Sequence, residues 1–134
     1  MTAREFSLQL DREWAEKVDD LHEFVSLVGL TALRALVQKS PVDTGRFKGN
    51  WQLSIGTPEA GQLETTDPSG GATLAKGSTA IAPYAGLKNF PPVWIVNNLP
   101  YSERLEDGYS KQAPGGMVGL TVAELQTMFN GEDV

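Results

Sequence analysis

From residue 11 to residue 38 the chain keeps one apolar stripe at helical spacing, and a helix of that length does not fit inside a domain this small. Trp14, Val18, Leu21, Val25, Val28, Ala32 and Leu36 recur at intervals of three and four, the repeat that puts side chains on one face of an α-helix. Pro41 stops the run by driving Ser40 into an extended conformation. At 1.5 Å per residue the predicted helix is about 42 Å long, whereas a compact domain of this size has a radius of gyration of only about 14 Å. Either the helix breaks, with Gly29 the natural place, or it runs past its own domain.

The two halves of this helix differ. Arg12, Glu13, Glu16, Lys17, Asp19, Asp20 and Glu23 surround a single stripe in the first half, while residues 24–37 are apolar on nearly every side except at Ser26, Thr31 and Arg34. Two arrangements bury such a second half: a core helix covered by a sheet and another helix, or a contact with another subunit. A coiled coil is disfavoured because the regular repeat is short. Upstream, Phe6, Leu8 and Leu10 alternate with Ser7 and Gln9, which predicts a half-exposed strand before Asp11 caps the helix.

Residues 50–55 predict a strand with Trp51, Leu53 and Ile55 on one face, and residues 93–96 predict a second, in which Trp94 and Val96 oppose Val93 and Ile95. Residues 56–71 are rich in Gly, Pro, Thr and Asp and predict a flexible surface excursion, followed by a short helix over 72–82. Near the C-terminus Thr121 and Glu124 have the spacing of a capping box, Leu120 and Leu125 that of a hydrophobic staple, and Gly131 follows the last turn. A helix of about nine residues is unstable alone and must dock. The expected fold class is α+β, with a long N-terminal helix packed on a small antiparallel sheet and short C-terminal helices, in a single domain spanning 1–134.

Two segments are densely specified without carrying catalytic spacing. The first is Ser-Pro-Val-Asp-Thr-Gly-Arg-Phe-Lys-Gly-Asn-Trp at 40–51, in which Pro41 ends the helix, Asp43 is placed to cap the next turn, and Gly45 relieves a tight bend. The second is Asn-Asn-Leu-Pro-Tyr-Ser-Glu-Arg-Leu-Glu-Asp-Gly-Tyr-Ser-Lys-Gln-Ala-Pro-Gly-Gly-Met at 97–117. Pro100 suits the first position of a two-turn helix and Gly108 the left-handed residue after it, with Tyr101 and Leu105 on one face and Glu103, Arg104 and Asp107 in water.

The two segments, in this order and spacing, resemble the neck or tail-completion proteins of long-tailed, siphovirus-type bacteriophages, the minor tail protein Z-like family. The resemblance covers most of the chain, although residues 56–82 match only loosely. It implies a structural virion protein, made in the host cytoplasm, that assembles as a homo-oligomeric ring, expected as a hexamer, at the head-proximal end of the tail. Its implied partners are other neck and tail proteins, namely a tail terminator and a head-completion or connector ring. The expected interface residues are Tyr101, Glu106, Gly108, Tyr109, Ser110, Gln112, Ala113, Pro114, Gly115, Gly116 and Met117, with Glu106 at the recurrent acid of the family motif. Pro41, Asp43, Thr44, Gly45, Arg46 and Trp51 are expected to form a structural turn. An alternative is an assembly factor absent from the finished virion.

Other functions have weaker support in the residues. Asp43-Thr44-Gly45 matches the active-site triplet of aspartic proteases, including small homodimeric ones, but it follows a helix stop instead of a buried strand and precedes the long, charged Arg46. The chain has no cysteine, and its one histidine, His22, is expected as a partly exposed packing residue. No metal site, cofactor or catalytic residue is expected. Seventeen acids against eleven bases give a formal charge of −6, and the bases form no stripe. The expectation is that DNA passes nearby without specific binding, repelled by an acidic wall. The N-terminus lacks the apolar core of a signal peptide and no stretch predicts a membrane span.

Overall fold

The computed structural model describes residues 2–108, 110–113 and 115–129. Helix α1 spans Ala3–Lys39, strand β1 Trp51–Ile55, helix α2 Gly71–Ile81, strand β2 Val93–Asn97, helix α3 Ser102–Glu106 and helix α4 Val118–Phe129. Short 3-10 turns at Lys48–Asn50 and Ala82–Gly86 precede β1 and follow α2. The architecture is α+β, as the residue pattern predicts. β1 and β2 form an antiparallel pair with Trp51 opposite Asn97, Leu53 opposite Ile95 and Ile55 opposite Val93.

The predicted strand at Phe6, Leu8 and Leu10 is instead the first turns of α1. Thr2 and Glu5 form a capping box, the Thr2 hydroxyl accepting from Glu5 N (3.1 Å) and the Glu5 carboxylate from Thr2 N (2.9 Å), so the helix nucleates before the alternation begins. Asp11, expected as the cap, lies inside the helix. Nor does α1 break at Gly29. With 37 residues it is about 55 Å long and runs past the body of the domain. Residues 2–17 are exposed throughout, and the helix enters the core only near His22.

His22 corrects a second expectation, since it is fully buried. Its ring stacks on Phe90 at 4.3 Å and meets Tyr84 edge-on at 5.3 Å. Its Nε2 lies 2.7 Å from the Asn89 carbonyl and must carry the proton, leaving Nδ1 buried without a partner. Together with the Tyr84 hydroxyl, which donates to the Pro91 carbonyl (2.9 Å), it fixes the chain leading into β2.

The core lies where the second half of α1 meets the sheet and α2, with Leu33, Leu36, Val37, Trp51, Leu53, Ile81 and Tyr84 buried. Gly77 lets α2 approach closely, because a β-carbon there would sit 2.1 Å from Leu33 Cδ2. The Asp67 carboxylate caps α2, accepting from Thr73 N (2.8 Å) and Thr73 Oγ1 (2.7 Å). The excursion has no helix or strand from 56 to 70 and is tied at several points. Buried Asn50 exchanges bonds with Leu63, and the Asn98 side chain donates to the carbonyls of Glu59 and Gly61.

Helix α4 begins at Val118, three residues before the expected capping box. Thr121 is therefore interior and buried, with its hydroxyl unpartnered, and Leu120 is exposed and not a staple. Gly131 lies outside the described residues. α4 docks on α1 through an edge-to-face contact between Phe24 and Phe129 (5.5 Å) and an ion pair between Lys39 and Glu124 (2.7 Å).

Candidate functional site

The two segments singled out by sequence lie about fifty residues apart and fold against each other. The Gln112 amide pairs with the Val42 backbone in both directions: Val42 N donates to Oε1 (2.7 Å) and Nε2 donates to Val42 O (3.1 Å). The Asn97 side chain donates to the Phe47 carbonyl (2.9 Å), and the rings of Phe47 and Tyr101 lie 6.0 Å apart. Pro41, Asp43, Arg46, Tyr101, Ser110 and Gln112 are among the residues that border a shared surface cleft of about 250 Å³.

Within the first segment the turn is built differently from expectation. Asp43 is exposed, and the Thr44 hydroxyl, not the Asp43 carboxylate, accepts from Arg46 N (3.3 Å). Gly45 does adopt the left-handed conformation, at φ 86°. Trp51 anchors the segment to α1: its indole N–H donates to Ser40 Oγ (2.7 Å), whose own hydroxyl donates to the Leu36 carbonyl (2.6 Å). Arg46 reaches outward toward Glu64 (3.9 Å), a loose and exposed ion pair.

In the second segment the helix is shorter than expected. It starts at Ser102, so Pro100 precedes the flanking residue Tyr101 and does not occupy the first helical position. Gly108 is left-handed at φ 88°, and Glu103, Arg104 and Asp107 are exposed. The Glu106 carboxylate caps α4. Its Oε1 accepts from Met117 N (2.9 Å) and Val118 N (2.7 Å), and its Oε2 from Gly119 N (3.0 Å), so three orphan donors at a helix start meet one anion. Burial raises the Glu106 pKa, but the N–H groups of Gly119, Val118 and Met117 outweigh it and hold the carboxyl below its usual range.

Gly116 makes this arrangement possible. It sits at φ 79°, and a β-carbon there would come within 2.3 Å of the Glu106 carbonyl oxygen. Ala113 and Met117 are buried in the domain's own core. Of the residues expected at an interface, Tyr101, Gln112 and Gly115 are exposed and Ser110 is half-buried, while Tyr109 and Pro114 lie outside the described residues.

Sequence reasoning missed Asn50 and Asp67. Asn50 ties residues thirteen apart through Leu63, and Asp67 reaches Thr73 at a spacing of six, neither of which is a standard local capping interval. Among the described residues no three His, Asp or Glu side chains are grouped to hold a metal ion, and no helix is long and apolar enough to cross a membrane. No family model, no curated protein and no solved structure matches the chain.

Proposed function

We propose that this chain is a structural protein of a phage neck that works by assembly, forming a homo-oligomeric ring at the head-proximal end of the tail, against a tail terminator and a head-completion or connector ring. The observation that carries this reading is where the large apolar side chains are exposed. Phe6, Leu8, Leu10 and Trp14 are exposed on the first part of α1, and Val118, Leu120, Val122 and Met128 on α4. Single exposed apolar residues are ordinary, but two helices of a small domain that each display four of them are surfaces built to be covered.

The cleft between the two segments adds a polar rim with Tyr101 half-open on its edge, the mixture of aromatic anchor and satisfied hydrogen bonds that interfaces use. Asp43 lies on an irregular, exposed bend and not at the end of a buried strand, which favours assembly over the protease reading. The excess of acids is consistent with a wall past which DNA slides unbound.

Immunogold labelling of purified particles of the phage that encodes the chain tests the proposal. Label at the head–tail junction is expected. Absence of the chain from purified virions, combined with headless or tailless particles when it is deleted, would overturn the virion assignment in favour of an assembly factor.

A further inference from the structure

We infer that the first part of α1 is an assembly arm whose ridge of Phe6, Leu10 and Trp14 seats in the apolar groove between α1 and β2 of a second copy of this chain. This rests on the self-associating reading above and names the contact that builds it. The arm has an apolar ridge on which none of the described residues packs closely: Phe6 is 54 % exposed, Leu10 49 % and Trp14 69 %. Helices in folded proteins draw most of their stability from packing such a face, so an unpacked stretch of about five turns points to a missing partner.

The groove provides the matching surface. β2 is paired on one side only, with β1. Phe24, Val25, Val28, Ala32, Val93 and Ile95 border a groove of about 370 Å³, and among the described residues no charged or polar side chain lines it. The larger cleft between α1, α2 and α4 fits less well, because Arg34, Gln38 and Glu124 stand on its walls and an apolar ridge would strip them of water.

The occupant has to come from another molecule. Ridge and groove floor are parts of one unbroken helix, so the arm cannot fold back onto its own groove. The size also fits. The ridge from Phe6 to Trp14 and the groove's wall from Phe24 to Ala32 each span eight residue steps, about 12 Å along a helix, so the two match in length. Every copy carries one arm and one groove, so the contact is head-to-tail and repeats, giving a ring where its rotation closes and a filament where it does not.

The absence of cysteine makes the test direct. Leu10 is at the centre of the ridge and Val28 at the centre of the groove, so the two meet whichever way the arm runs. Leu10→Cys and Val28→Cys proteins, mixed and treated with a short bismaleimide, are expected to give a covalent dimer that neither gives alone. In parallel, light scattering of the full chain is compared with Trp14→Glu, whose body fold is checked by near-ultraviolet circular dichroism. Trp14→Glu is expected to weaken association about 30-fold or more. A ring that dissolves in this variant supports both the inference and the ring reading. A dimer that dissolves supports the arm contact and overturns the ring. An assembly of unchanged mass in Trp14→Glu overturns the arm contact and leaves the ring reading standing. A wild-type monomer that gives no mixed cross-link also overturns the arm contact.

Discussion

Glu106 shows how a single side chain holds the C-terminal third of the molecule together. Its carboxylate receives three backbone donors at the start of α4, so Glu106→Gln, which keeps the shape and removes the charge, is expected to cost about 1.5–3 kcal/mol in urea unfolding. Asp67 makes the same arrangement at α2: burial raises its pKa, and hydrogen bonds from Thr73, Ala72 and Gly70 lower it further than burial raises it. Both carboxyls are held below their ordinary values of 3.8 and 4.5. Their contribution is therefore complete above the unfolded values and lost as pH falls through the lower folded ones. Stability measured from neutral pH downward should fall below about pH 4.5, less steeply in Glu106→Gln, and an equal slope would contradict the capping role. Gly116 belongs to the same unit. Gly115 and Gly116 look from sequence like freedom for approach to a neighbouring chain, yet Gly116 is needed by its own subunit, and Gly116→Val should cost about 2–3 kcal/mol by thermal melting of the isolated protein.

Among the elements, those with long internal repeats were legible and those fixed from a distance were not. The stripe from Trp14 to Leu36 identified α1, and β-branched and aromatic alternation identified both strands. The start of α1 is ambiguous in sequence because Phe6 and Leu10 satisfy both a two-residue and a four-residue period while Leu8 fits only the first, and the Thr2–Glu5 box decides between them. The start of α4 was misread because its cap lies eleven residues upstream on another helix. A still greater separation hides the shared cleft, whose Gln112–Val42 bonds join residues seventy apart. For α4 the cap should matter more than the ion pair: Lys39→Ala removes an exposed contact and is expected to cost less than about 1 kcal/mol, with little change in amide exchange along α4. Faster exchange there than in Glu106→Gln would reverse that order.

The whole molecule is a compact body with a helical extension, and the two parts should respond differently to a protease. Arg4, Arg12 and Lys17 lie on the exposed extension, whereas Lys48 is buried and Lys39 is paired to Glu124. Trypsin acting on the unassembled chain is expected to trim the extension first and leave a resistant fragment beginning near residue 18, and assembly should protect the same sites. Lys88 and Lys111 are also exposed, on irregular segments of the body, so the core is judged at buried Lys48, where early cutting would mean that it is looser than its packing implies. The order in which the groove's walls are made also has a consequence. One wall comes from residues 24–32 of α1 and the other from Val93 and Ile95. At about 5–20 residues per second, roughly 60 residues of synthesis separate them, so a nascent chain shows the ribosome's surroundings a bare apolar helix for about 3–12 s. Translation speed through α2 and the excursion thus sets how long each new chain is open to premature contact.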